Sequence, residues 1–447
     1  MAGDSDGRTR RDFLATSIAA AGLVGMRSAG GPAEFAGAPT RPPFRPGLPN
    51  TTAGLANNIY TRLLGVRPHL GAHEHISRLG GGRMAPEVLA AMAEANDYFV
   101  DMHELNLAAG RRAAELLGAE AAFVSCGGFS AMILGAAACL TGDDEARLAA
   151  LPHPTWDRRE CLIQTAQKFD YDRAYRVAGA TVVYADTRAE FEAKLGPRTA
   201  FIAALSSAER QGVFAPPFEA RRAPKPSPDL LTVEELCRMG KAAGVPVLVD
   251  MASDLPPWEN LRRYLAAGAD LVVLSGGKAI GGPQATGLLL GRKDLIEAAR
   301  RNASPHDHLG RGMKVGKEEI VGLVVALERF VAQNHAVDLE RWNARARRIV
   351  ARLQNVPGLT ATFALNTAGY ADADLTWDPR IIALDRDGLR KALAAGSPRV
   401  ELEVIITQTA ATGLWHASAR TRVLRDGEEL LVADRLRATF LAARRSA

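Results

Sequence analysis

The run DLVVLSGGKAIGGPQATGLLLGRKD, residues 270–294, sets one lysine where a solvated side chain has no need to be. Leu271 to Leu274 reads as a buried strand that ends in Ser275, Gly276, Gly277 and Lys278. Gly281, Gly282 and Pro283 then turn the chain, and Thr286 to Gly291 reads as a second strand. A lysine on a glycine-flanked strand end, with a serine three residues earlier, suits an amine that meets an aldehyde cofactor while a hydroxyl holds the cofactor's phosphate.

Two further stretches could join that chemistry. Ser125, Cys126, Gly127 and Gly128 follow the strand-like run from Ala121 and open a helix read over Phe129 to Leu140. A helix N-terminus offers unpaired N–H groups and a positive dipole end to a phosphate, although a glycine pair also makes a plain tight turn. Asp250 ends the run VPVLVD. An aspartate after a strand is either a reactive carboxylate at the sheet edge or a helix cap.

The elements that position these residues alternate. Glu160 to Thr165, Thr181 to Tyr184, Ala200 to Leu205 and Val247 to Asp250 are short apolar runs separated by helical text. That order implies an α/β fold with a mainly parallel sheet flanked by helices, whose ligands sit at the carboxyl ends of the strands. Helical text also covers Glu87 to Leu117, with a break, and runs from Glu318 through Trp342 to about Leu353 as a connector. The stretch from Leu359 reads as a smaller C-terminal α/β domain ending in a helix over Asp434 to Ala443. The expected organisation is a signal and linker over 1–49, a large domain with an N-terminal arm over 50–330, and a connecting helix with a small domain over 331–447.

S-G-G-K at 275–278, G-P-Q at 282–284, G-R-x-x-L-I at 291–296 and the segment 304–330 together resemble the family of bacterial selenocysteine synthase and D-glucosaminate-6-phosphate ammonia-lyase. This is a family of pyridoxal 5'-phosphate enzymes of fold type I, the aspartate-aminotransferase-like fold. The resemblance runs from about Asn58 to the C-terminus. It implies that Lys278 is the Schiff-base lysine, that Asp250 pairs with the pyridine nitrogen, and that Ser125, Cys126, Gly127 and Gly128 hold the phosphate with Ser275. Gln167 stands where ammonia-lyase-like members carry a histidine over the cofactor ring, and glutamine can cover the ring but cannot act as a base. Gly71, Ala72, His73, Glu74 and His75 replace the family's N-A-S-G-T segment, which makes His73 and His75 either a substrate-contacting acid or base or a pair of satisfied loop histidines. Arg311 and Arg380 are candidates for binding a substrate carboxylate through a guanidinium fork. Histidine and carboxylate spacing at 73–75 does not match a zinc motif, and no metal is expected.

The implied reaction is β-elimination with ammonia release from an amino acid or amino sugar acid. Racemisation and transamination are the alternatives. Selenium transfer on a charged transfer RNA and a non-catalytic role stand behind them, disfavoured by the export pattern below and by an intact Lys278 and Asp250 respectively.

Composition narrows the partners. The chain has 447 residues, 47% hydrophobic and 6% aromatic, with a formal charge of +5. Its arginines are not interleaved with aromatics as in a nucleic-acid groove, so solvated faces explain them better. Four cysteines show no ligand spacing and read as small core residues. Thr9 to Leu14 matches the twin-arginine export pattern, followed by an alanine-rich run too short for a permanent membrane span. Residues 30–49 read as a linker and Arg210 to Pro228 as an exposed excursion. A periplasmic or exported homodimer or larger homo-oligomer is expected, with a cytoplasmic location as the alternative.

Overall fold

In the computed structural model, which describes residues 49–210, 229–256, 258–365, 370–403 and 405–445, the short apolar runs form strands. In chain order these are β1 Leu70–Ala72, β2 Ala121–Ser125, β3 Glu160–Gln164, β4 Thr181–Ala185, β5 Thr199–Leu205, β6 Val247–Asp250, β7 Leu271–Ser275 and β8 Gly287–Gly291. After a helical connection come β9 Leu359–Leu365, β10 Ala371–Trp377, β11 Val400–Leu402, β12 Thr407–Gln408 and β13 Trp415–Ala419. The twin-arginine pattern at 9–14, residues 30–48 of the linker and residues 211–228 of the expected excursion lie outside the described residues.

One seven-stranded sheet has the order β2-β8-β7-β6-β5-β3-β4. Its strands run parallel except β8, which is antiparallel to both neighbours. Both faces are covered, and the pleat divides each strand between them. Val247, Val249, Val272 and Leu274 enter one core, while Leu248, Leu271 and Val273 enter the other. Register pairs Leu205 with Asp250, Asp250 with Val273, and Ser125 with Gly287 beside Ser275. The carboxyl ends of β2, β5, β6 and β7 therefore share one edge, where the candidate residues lie.

Glu87 to Leu117 is helical with a break, as Pro86–Asn96 and Met102–Leu117. Asp101 caps the second helix by accepting from the His103 and Glu104 amides, and Gly118 ends it at φ 68°. The connector expected as one long helix is two, Lys317–Ala332 and His335–Leu353, bent by 89°. Gln333 is extended, and the Asn334 side chain accepts from the Ala336 amide, so a stop and a new cap fall inside an otherwise helical pattern.

A four-stranded antiparallel sheet of order β12-β13-β10-β9 forms the smaller layer. Beside it β1 pairs in parallel with β11, and the Arg420 amide donates to the Ala72 carbonyl at 3.0 Å. The segment before His73, read with the large domain, is thus stitched to the C-terminal sheet. The final helix is Glu428–Ala442, longer at its start than expected because Gly427 at φ 95° and the buried Glu428 and Glu429 open it. Among the described residues no single helix is long and apolar enough to cross a membrane.

Candidate active site

Lys278 leaves β7 through Ser275, Gly276 and Gly277, and the tightness of that turn explains its glycines. A Cβ on Gly276 would lie 2.2 Å from Thr286 Oγ1, and one on Gly277 would lie 2.5 Å from the Gln284 Cα. The Gly282 amide donates to the Gly276 carbonyl at 2.8 Å and closes the loop. Lys278 lines a cavity of about 760 Å³ together with Ser275, Ala252, His75, Tyr171 and Arg422.

Burial pushes the Lys278 amine below its usual range, opposed by the charges of Asp250 and Glu74. A lowered amine has more of the neutral form, the one able to attack a carbonyl carbon. Asp250 is buried at the end of β6, and burial raises its carboxyl, opposed by the Ala252 amide at 2.8 Å and by Lys278. Ser125 Oγ donates to the Gly127 carbonyl at 3.0 Å, and Cys126 Sγ lies 3.1 Å from Ser130 Oγ. Gly127, at φ 95°, opens the helix Gly128–Thr141 with no side-chain cap. Gly128 abuts the cavity wall, since a Cβ there would be 3.3 Å from Ala252 Cβ and 3.8 Å from Ser275 Cβ. Gly287 seals the turn from behind, where a Cβ would come within 2.4 Å of the Gly127 carbonyl carbon.

The two histidines separate. His75 is on the cavity, and burial, helped by Arg422, lowers it to about 4, so it is a neutral imidazole at neutral pH. His73 is turned away from it. Its Nδ1 donates to the Glu74 carbonyl at 2.5 Å, which fixes the tautomer and leaves Nε2 to accept from His69 Nε2 at 3.1 Å. His73 belongs to a buried relay behind the wall, not to the cavity lining.

Gln167 is also displaced from its expected place. Its amide donates to the Leu231 carbonyl and accepts from the Leu205 amide, both at 2.8 Å, so its side chain ties backbone segments together. Tyr171 and Asp170 occupy that side of the cavity instead. Ser206, just past β5, holds a buried hydroxyl without a hydrogen-bond partner among the described residues.

Neither proposed carboxylate-binding arginine reaches the cavity. Arg311 is 3.0 Å from Asp307, and Arg380 grips Asp378 at the surface with its side chain 84% exposed. The arginines that do line the cavity are Arg78, just after His75, and Arg420 and Arg422, two residues apart beyond β13. The last two contact the Glu74 carboxylate, which they hold far below the usual carboxylate range against the cost of burial. Arg420 Nε lies 2.9 Å from Glu403 Oε2 and its Nη1 3.6 Å from Asp372 Oδ2. Arg422 donates to the Leu255 carbonyl at 3.2 Å and stacks 4.8 Å from the Tyr370 ring. The only prior signal for this pair is R-T-R after the alternating strand WHASA, which puts both side chains on one face, and it is lost among 55 lysines and arginines.

A buried amine at a strand end, a glycine turn at a helix N-terminus, a buried carboxylate one strand away and a roomy cavity fit an aldehyde-bearing aromatic phosphate. Fold and site together define a pyridoxal-phosphate enzyme of fold type I, and its cofactor is pyridoxal 5'-phosphate. A family profile described as L-seryl-tRNA selenium transferase matches residues 229–349. The chain is 32% identical to a 5'-C-glycyluridine monooxygenase-decarboxylase of a Streptomyces species, over 76% of this chain and 82% of that protein. It is 28% identical to the D-glucosaminate-6-phosphate ammonia lyase of Salmonella typhimurium, over 70% of this chain and 80% of that one. A solved structure of D-glucosaminate-6-phosphate ammonia-lyase superposes with a TM-score of 0.72 at 26% identity, covering 87% of this chain and 99% of the other. The chain belongs to the pyridoxal-phosphate family that holds these lyases and the selenocysteine synthases.

Proposed function

We propose that the protein is a lyase that eliminates a β-substituent and releases ammonia from an amino acid or amino sugar acid. The observation that carries it is the shared cavity of Lys278 and the buried arginine pair. When bound, the cofactor supplies an electron sink that stabilises negative charge on the carbon bearing the substrate's amine. Lys278 would hold the cofactor, and its amine would be the base for that carbon's proton, a role its lowered basicity serves. Asp250 would keep a proton on the ring nitrogen, and the 125–128 turn with Ser275 would hold the phosphate. Arg420 and Arg422 orient the substrate carboxylate, and neutral His75 contacts the substrate from the same wall.

A second reading rests on the 32% identity to a monooxygenase-decarboxylase. In it the same carbon reacts with oxygen and loses carbon dioxide. Product analysis over a panel of D- and L-amino acids and amino sugar acids, in air and under anaerobic conditions, separates the two. Ammonia and a keto acid formed equally without oxygen fit the lyase. Oxygen uptake matched by carbon dioxide establishes the second reading, and stereoinversion or amine transfer sinks both. The Lys278→Ala variant should lose the cofactor's visible absorption and about 10³-fold or more in rate.

The reading extends to assembly and location. The helices Thr52–Ala56 and Ile59–Leu64 expose Ile59, Tyr60, Leu63 and Leu64, which supports a homodimer. The Thr9–Leu14 pattern supports export by the twin-arginine route, which cell fractionation of the native and Arg10→Lys/Arg11→Lys forms tests.

A further inference from the structure

The arginine pair on the cavity wall faces more carboxylates than it can answer. Arg420 pairs with Glu74, lies 2.9 Å from Glu403 Oε2 and 3.6 Å from Asp372 Oδ2, and Arg422 pairs with Glu74 as well. Glu74 follows β1, Glu403 follows β11 and Asp372 sits on β10, so three separate parts of the chain bring their carboxylates to one place. Asp372 and Glu403 are buried and Glu74 is partly so. Two guanidinium groups thus meet three carboxylates where Glu74, Glu403, Arg420 and Arg422 line the catalytic cavity.

Asp372 is held the least well of the three. Its Oδ1 is buried and accepts no hydrogen bond among the described residues, and the 3.6 Å from its Oδ2 to Arg420 Nη1 is longer than a hydrogen bond. Its other neighbours do not help an ionised carboxylate. Asp374, next on the same face of β10, is a further acid and accepts from Ser418 Oγ at 3.0 Å. β9 places Ala364 opposite it, and Asn343, from the helix His335–Leu353 behind the sheet, is neutral and accepts from the Ala371 amide at 2.8 Å. Burial, with the charges of Glu74 and Glu403, raises the Asp372 carboxyl to about 6 against the pull of Arg420 and Arg422. Glu74, gripped by both arginines, is held far below its usual range instead. A substrate carboxylate would therefore arrive at an arginine pair already outnumbered, beside one acid poised to give up its charge.

We infer that Asp372 is a positioning residue for the substrate carboxylate, taking one proton from solvent as that carboxylate docks on Arg420 and Arg422. One O–H bond forms on the Asp372 carboxyl, no other bond changes, and Arg420 is released from one of its own acids to the incoming one. Proton and carboxylate then favour each other's binding by the same factor. The inference rests on the proposed role of the arginine pair as the seat of the substrate carboxylate.

The test titrates the full, cofactor-loaded protein with glycerate, which carries a carboxylate and no amine, in buffers of different ionisation enthalpy, so that calorimetry counts the protons taken up. Close to one proton per bound glycerate is expected at about pH 8 and close to none at about pH 5, with affinity falling about tenfold for each pH unit above 6. Binding should also add the infrared band of a protonated carboxyl. Asp372→Asn should lose the band and the uptake and flatten the pH profile while keeping the cofactor's visible absorption, and Glu403→Gln should keep the uptake. Glycerate that binds at about pH 8 without a proton overturns the inference. So does uptake that survives Asp372→Asn, as a proton taken at the cofactor would, or uptake that Glu403→Gln abolishes. Failure of the carboxylate seat itself shows differently, as glycerate binding no better than glycerol or equally well to Arg422→Gln, and it takes the inference with it.

Discussion

Arg422 and Glu74 form a buried pair whose arginine side chain is 8% exposed and whose separation in sequence is 348 residues (422 minus 74). Removing one partner strands the other charge, so Arg422→Gln should cost about 3–5 kcal/mol in denaturant unfolding. The double variant Arg422→Gln/Glu74→Gln should recover most of that stability and none of the turnover. Recovery of both would show the arginine to be structural only. Arg311→Gln and Arg380→Gln should leave turnover unchanged. His75 adds a pH term with a definite sign. Its folded value near 4 lies below the ordinary 6.5, so the unfolded chain binds the proton first and stability falls as pH drops from 6.5 toward 4. His75→Gln should lose about 2 kcal/mol less than the native protein between pH 7 and 5, measured by unfolding at each pH. At this scale the positions of Lys278, Asp250 and Ser275 were legible because they lie at or just past strand ends, where text and geometry coincide. The arginine pair was not, since i, i+2 arginines gain meaning only when a distant glutamate meets them.

Elements were legible where the chain is apolar and short. The seven strands of the main sheet follow the expected runs to within a residue, because runs such as LVVL have no amphipathic helical reading and glycines bound them. The connector was misjudged because Q-N-H-A at 333–336 interrupts a pattern whose apolar spacing continues on either side. Asn334→Ala should cost about 1 kcal/mol by loss of its cap, seen as a lowered Tm. The phosphate turn depends on its neighbour strand. A Gly287→Ala methyl has nowhere to go but into Gly127, so the cofactor's Kd should rise, with about 1–3 kcal/mol of overpacking to be relieved, while Lys278 keeps its place.

For the whole molecule, sequence order and spatial order diverge most at the start. β1, near the first described residues, pairs with β11 and brings Glu74 and His75 against the C-terminal sheet. No periodicity in residues 70–75 announces that partner. The exposed Ile59, Tyr60, Leu63 and Leu64 predict self-association, and light scattering should give a mass of two chains or a multiple of two, lowered by Leu63→Glu. The stitching of β1 to β11 also sets a timetable for synthesis. Glu74 leaves the ribosome long before Arg420 and Arg422 have been translated, so the nascent chain can gather its lysine, glycine turn and Asp250 while the opposite wall does not yet exist. Competence for the vitamin-derived cofactor would then precede competence for substrate during every round of translation.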